Sequence, residues 1–237
     1  MKSNEMLRSS TDSHTYDCVG VGVGPSNLSL ASLADGRPEL RTIFFEKKPS
    51  FGWHDGMLLR DLHLQVSLFK DLVTLADPKN RFSFLSYLHS QGKIYHYINA
   101  HFDSVPLQEY ANYLNWASAN NTNVHFGEEV VKVDFDGAFQ VETTKRRLVA
   151  HNISIGVGTE PFVPEFARGH LGDTNFHAID LGYHTNFHAG KRVTVVTPGP
   201  RDLAVMGANL MDLRRRQAVL EASLLSSAGL DLQAQVA

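Results

Sequence analysis

The chain has little cysteine: Cys18 is the single one among 237 residues. No internal disulfide can form, and a reducing compartment suits such a chain. Cys18 sits inside an apolar strand pattern and reads as a small buried hydrophobe rather than a nucleophile. No apolar run approaches the roughly 20 residues of a membrane span. The net charge of -3 gives no bulk attraction to nucleic acid or to an anionic membrane surface. Twelve histidines are present but scattered, with no H-E-x-x-H or H-x-H pair, so no metal site is expected. The first residues, MKSNEMLRSSTDSHTYD, lack an apolar signal-peptide core. Residues 1–15 are expected to be a disordered tail, and the protein is expected in the cytoplasm.

What remains is ordinary globular material, 43% hydrophobic and 20% charged. Tyr16 to Val23 is short, apolar and glycine-punctuated, which predicts a buried parallel strand. Helical spacing follows from Pro25 to about Asp35, and Arg41 to Glu46 forms a second strand ending on an acid. Strand, glycine turn, helix, strand is a βαβ unit. Residues 47–77 are loop-rich. Helices are predicted over 81–91 and 106–119, the second with Pro106 near its start. Strands are predicted at 123–126, 129–135, 138–143, 147–155 and 191–196, and one helix around 203–226.

The turn Gly22-Val23-Gly24-Pro25-Ser26-Asn27 matches GxGxxG except that Asn27 replaces the third glycine. Gly22 permits the tight turn, and Gly24 lets backbone N–H groups approach a pyrophosphate held on the helix N-terminus. Glu46, 24 residues after Gly22, is placed to bind a ribose hydroxyl pair. An acid there repels a 2′-phosphate, which favours FAD or NAD over NADP. A lone GxGxxG is a weak signal, but this one has the strand, helix and acid that dinucleotide binding requires. A second glycine pattern, Ile155-Gly156-Val157-Gly158-Thr159, ends a strand and is followed by Pro161 and Pro164. It resembles the turn by which two-dinucleotide flavoproteins pass between their FAD and NADPH domains.

Between 51 and 81, Trp53, His54, Met57, Gln65 and Lys70 are unusual company for a crossover. An aromatic and a Gln amide can border an isoalloxazine, and a Lys can receive a carboxylate or phosphate. On residue type alone, a core tryptophan, a capping histidine and a solvated lysine are the plainer alternatives.

Taken in order, these stretches resemble the lysine/ornithine N-monooxygenases of siderophore biosynthesis, in particular the L-lysine N6-monooxygenase branch. The resemblance rests on YDCVGVGVGPSNLSLA (16–31), FFEKKPSFGWHDGMLL (44–59), LQVSLFKDLVTLADP (64–78), FSFLSYLH (82–89), EYANYLNWA (109–117), 152–164 and 191–196. The W-H-x-G-M and K-D-L-V-T pieces are its most specific parts. It implies an α/β fold: a Rossmann-like FAD-binding domain over 16–165, of the two-dinucleotide flavoprotein type, then an incomplete NADPH-binding domain starting at 166–196. It implies FAD and NADPH as cofactors, O₂ and L-lysine or a related amine as reactants, and oxygenation of the neutral amine by a C4a-hydroperoxyflavin. Carried over by resemblance, Gly22, Gly24, Asn27 and Glu46 hold the FAD pyrophosphate and ribose, with Pro25 and Lys47 beside them. Trp53, His54 and Gln65 border the flavin, and Lys70 meets the substrate carboxylate or NADPH. No side chain is assigned as catalytic. Complete members of the family are expected to be homo-oligomers.

The strand at 191–196 runs into Thr197-Pro198-Gly199-Pro200 where the family has a second glycine turn. Two prolines remove N–H donors there. Residues 197–237 are expected to be a non-matching tail, from a frameshift or truncation or from a true short paralogue. The rival functions are an inactive flavin-binding fragment that partners a full-length homologue, and a thioredoxin-reductase-like oxidoreductase, against which the missing C-x-x-C pair argues.

Overall fold

A computed structural model describes residues 11–58, 62–64, 66–100, 104–187, 192–197 and 221–226. It divides into two compact units. The first holds Met1–Trp53 and His63–Glu160, and the second His54–Leu62 and Pro161–Ala237. The first unit thus ends in the chain at Glu160, and the short stretch from His54 to Leu62 groups with the second unit.

The first unit is built on a six-stranded sheet in the order β3-β2-β1-β6-β5-β4. Its strands are β1 (Thr11–Val21), β2 (Thr42–Glu46), β3 (Val124–Phe126), β4 (Val130–Phe135), β5 (Phe139–Thr143) and β6 (Arg147–Ile155). β1 pairs in parallel with β2 and β6, and β2 in parallel with β3. β4, β5 and the first half of β6 form an antiparallel meander. Nine residues long, β6 serves both parts, Arg147–Ala150 pairing with β5 on one edge and Arg147–Ile155 with β1 on the other. The register brings the ends of β1 and β6 together at Val21 and Ile155. Both glycine patterns thus leave the sheet side by side.

The helices are α1 (Pro25–Ala34), α2 (Phe84–Ser90), α3 (Ile94–Asn99), α4 (Leu107–Asn120) and, in the second unit, α5 (Glu165–Arg168). α2 starts later than its periodicity suggests because Ser83 caps it, its side chain accepting from the Ser86 N–H. Six residues long, α3 has no buried residue, so it leaves no apolar period to read. α1, α2 and α4 close one core around Leu28, Phe44, Phe82, Phe84, Tyr113 and Leu114. The meander closes another, around Val19, Ile43, Phe45, Val141 and Leu148. Cys18 is half-buried on β1; burial, then the Asp17 charge, raise its thiol pKa and keep it protonated, as its structural reading expects.

In the second unit, β7 (Arg192–Thr197) pairs in parallel with β8 (Glu221–Ser226). The helix expected around 203–226 is therefore corrected at its end, where Glu221–Ser226 is strand; residues 198–220 lie outside the described ones. Residues 221–226, EASLLS, hold no β-branched residue and do not alternate, so nothing local in the sequence marks them as a strand.

The first core carries a titration signature. Burial, then the charge of Asp71, push the Tyr110 hydroxyl up to about 12. Burial also raises Tyr113, and burial with the Glu109 contact raises Tyr87. All three favour the neutral form when folded. Their stabilisation is complete below the ordinary tyrosine pKa of about 10 and is lost at higher pH, for Tyr110 as pH climbs through about 12. An alkaline absorbance titration should show the buried tyrosines ionising in a late step that coincides with loss of near-ultraviolet circular dichroism. A single step near pH 10 with the fold intact would contradict this packing.

Candidate functional site

β1 ends at Val21, and Gly22 turns the chain with φ +81, a conformation that L side chains rarely adopt. A Cβ at Gly22 would stand 2.6 Å from the Gly156 carbonyl oxygen, so glycine is required twice over. Gly24 differs. It is extended at φ -78, ψ 177 as the N-cap of α1, and a Cβ there would meet only the Gly156 oxygen at 3.7 Å. The space over Gly24 is open. Pro25 takes the first helical position, where its missing N–H costs nothing. The other first-turn N–H groups of α1 have no acceptor within the helix, and its positive dipole end lies at the same place. A pyrophosphate fits this cradle.

Glu46 ends β2 with its carboxylate drawn to the turn. One oxygen accepts from the Val23 N–H at 2.9 Å and the other from the Lys48 N–H at 3.0 Å. The acid is thus placed one residue from Gly24, within reach of a ribose attached to the pyrophosphate. Lys47 is exposed beside it.

Glu46 is in turn held from below. The Glu128 N–H donates to its carbonyl at 3.0 Å. The buried Glu128 carboxylate receives Arg146 through Nε at 2.9 Å and Nη2 at 2.8 Å, and the Thr143 hydroxyl at 2.6 Å.

The Asn27 side chain is engaged inside the protein. Its side chain is buried and turned inward, Nδ2 donating to the carbonyls of Gly22 at 2.7 Å, Val21 at 3.2 Å and Ser154 at 3.3 Å. Its Oδ1 accepts from the Ser154 hydroxyl at 2.7 Å. A Cβ on Gly156 would lie 2.6 Å from that amide. Asn27 clasps the ends of β1 and β6 in place of the third glycine, and glycine at 156 is the complement that makes room for it. Ser154 and Gly156 were the signal for this pairing in the sequence.

Trp53 is half-buried and meets the Tyr110 ring edge-on, 5.6 Å between centroids, in the first unit. Its position combines a core contact with partial exposure. His54, in the second unit, is exposed and adopts a left-handed backbone, φ 50 and ψ 39, before the short 3₁₀ turn Asp55–Met57. Gly56 in that turn is obligatory, because a Cβ would stand 2.3 Å from the Ile179 oxygen. Gln65 lies outside the described residues. Lys70 is exposed on a turn in the first unit. The residues that build this turn, Asp71 above all, were not singled out from the sequence, although Asp71 and Thr74 have the spacing of a side-chain cap.

The chain matches known proteins in sequence and in fold. The profile of the L-lysine 6-monooxygenase/L-ornithine 5-monooxygenase family covers residues 14–228. The chain belongs to that family. The profile match runs to residue 228, past Val196, where the resemblance read from the residues ended. The chain is 38% identical to an Escherichia coli L-lysine N6-monooxygenase over 78% of its own length and 44% of that protein. It is 36% identical to a putrescine N-hydroxylase of Acinetobacter baumannii, covering 78% of this chain and 43% of that one. With a Burkholderia cepacia L-ornithine N(5)-monooxygenase it shares 35% identity over 90% of this chain and 52% of that one. It spans about half the length of these monooxygenase-family relatives. Among solved structures, an FAD-bound cadaverine monooxygenase of Erwinia amylovora matches with TM-score 0.79 at 26% identity, over 90% of this chain and 51% of that one. An ornithine N-hydroxylase of Kutzneria sp. 744 matches with TM-score 0.73 at 30% identity, over 90% and 54%. The fold is the α/β, Rossmann-like one that the glycine turn implied.

Proposed function

We infer that this chain is the FAD-binding half of a flavin-dependent N-hydroxylating monooxygenase. Its substrate is the side-chain amine of L-lysine, or of ornithine or a related diamine, and its setting is hydroxamate siderophore biosynthesis in the cytoplasm. One observation carries the reading: the open face of Gly24 and the Glu46 carboxylate meet at the N-terminus of α1. Bound there, FAD reduced by NADPH would supply the oxygen-activating redox chemistry. The residues of this chain do the rest. Backbone N–H groups at Gly24 and the first turn of α1 take the pyrophosphate, and Glu46 takes the ribose hydroxyls. Trp53 supplies a flat apolar wall that excludes water, and Lys70 offers a cation to the substrate carboxylate.

A second reading is a flavin-binding fragment that partners a full-length homologue. Thr197-Pro198-Gly199-Pro200 favours it, since two prolines remove N–H donors where a nicotinamide cofactor needs a phosphate cradle. NADPH absorbance, followed with FAD in excess and with lysine, ornithine or putrescine, separates the two. Saturable, amine-stimulated oxidation with hydroxylamine product supports the complete monooxygenase. Flavin retention with NADPH oxidation at the free-flavin background supports the fragment.

A further inference from the structure

The turn that carries Lys70 is tied down more firmly than an exposed loop needs. The Asp71 carboxylate accepts four hydrogen bonds. Oδ1 takes the N–H of Val73 at 2.9 Å and of Thr74 at 2.7 Å. Oδ2 takes the Thr74 hydroxyl at 2.7 Å and the Phe84 N–H, at the start of α2, also at 2.7 Å. The next residue, Leu72, is held at both ends. Its N–H donates to the Tyr113 hydroxyl of α4 at 3.1 Å, and its carbonyl accepts from the Ser29 hydroxyl of α1. Tyr113, fully buried, donates its own hydroxyl hydrogen bond to the Phe82 carbonyl at 2.7 Å. Burial raises its pKa first of all and the Asp71 charge adds to that, so the hydroxyl stays a donor.

The geometry has a direction. Ser29 lies on α1, one turn from the glycine cradle, and its bond to Leu72 places the turn bearing Lys70 in register with that helix. Asp71 and Tyr113 then join the same turn to α2 and α4. We propose that Asp71, with Tyr113 and Ser29, is a positioning residue that holds the Lys70 ammonium at a fixed place relative to the dinucleotide helix, so that the site selects amines bearing an α-carboxylate. This rests on the reading of Lys70 as the carboxylate partner.

Two measurements on the FAD-loaded chain test it. The first is calorimetric binding of L-lysine against cadaverine, the same amine without the carboxylate, for the wild type, Lys70→Ala and Asp71→Asn. Asp71→Asn keeps the size of the side chain but sets an NH₂ donor against N–H donors. The expected result is a lysine preference in the wild type that falls by roughly tenfold or more in both variants, with cadaverine unchanged. The second is amide exchange over 66–74, expected to quicken in Asp71→Asn and to stay slow in Lys70→Ala. A lysine preference kept in Asp71→Asn, or unchanged exchange there, overturns the positioning role while leaving Lys70 standing. A preference absent from the wild type, or kept in Lys70→Ala, overturns the Lys70 reading and the proposal with it. Should Asp71→Asn fail to fold, Ser29→Ala removes a single hydroxyl from the same turn and is read by the same two assays.

Discussion

Gly24→Val is expected to purify folded and colourless. The backbone at Gly24 is extended, φ -78, which any residue adopts, and an added Cβ touches only the Gly156 oxygen at an ordinary 3.7 Å. The fold should therefore survive, with far-ultraviolet circular dichroism matching the parent. The branched side chain, however, fills the open face over which a pyrophosphate must approach. Charge-assisted bonds to backbone N–H groups are worth about 1.5–3 kcal/mol each, so displacing two weakens FAD binding on the order of a hundredfold or more. Gly22→Val makes the opposite case. At φ +81, with Cβ 2.6 Å from the Gly156 oxygen, it should damage the fold itself. A Gly24→Val protein as yellow as its parent would remove the cradle from the account.

The second large effect concerns the ion pair whose Glu128 holds the backbone of Glu46. Glu128 is 1% exposed and its charge is compensated by the Arg146 fork and Thr143. Arg146 also lies over the Phe45 ring, 5.6 Å from its centroid. Arg146→Ala strips a buried carboxylate of its counter-charge, and such losses cost about 3–5 kcal/mol. The urea midpoint should drop strongly with the slope unchanged. Replacing both partners by leucine should recover most of that loss, because the desolvation of two charges is then relieved as well. Because the Glu128 N–H bonds the Glu46 carbonyl, Arg146→Ala should also weaken flavin retention, whereas the double-leucine variant should retain it better. A midpoint unmoved by Arg146→Ala would mean that the pair does not hold this corner.

Much of the first unit was legible in its residues. Gly22, Gly24 and Glu46 declare a dinucleotide turn because backbone angle, close approach and charge each demand one residue type at one spacing. The strands of the meander are read from period 2, and α4 from its apolar face and Pro106. Other features had no such local mark. The inward turn of Asn27 depends on Ser154 and Gly156, far away in sequence and brought near only by the pairing of β1 with β6. Asp71 gathers bonds from its own turn and from Phe84, so its role appears only once α2 is folded against it. α3 buries nothing and leaves no period. β8 pairs with β7, and its residues EASLLS carry neither alternation nor a β-branched side chain.

The central claim is that the cradle grips the ADP portion of FAD. Equilibrium dialysis of the purified chain against FAD and, separately, riboflavin tests this directly, since riboflavin offers the same ring without pyrophosphate or adenosine. The account predicts one FAD retained per chain and riboflavin lost under identical conditions. Equal retention of the two, or loss of both, would contradict it.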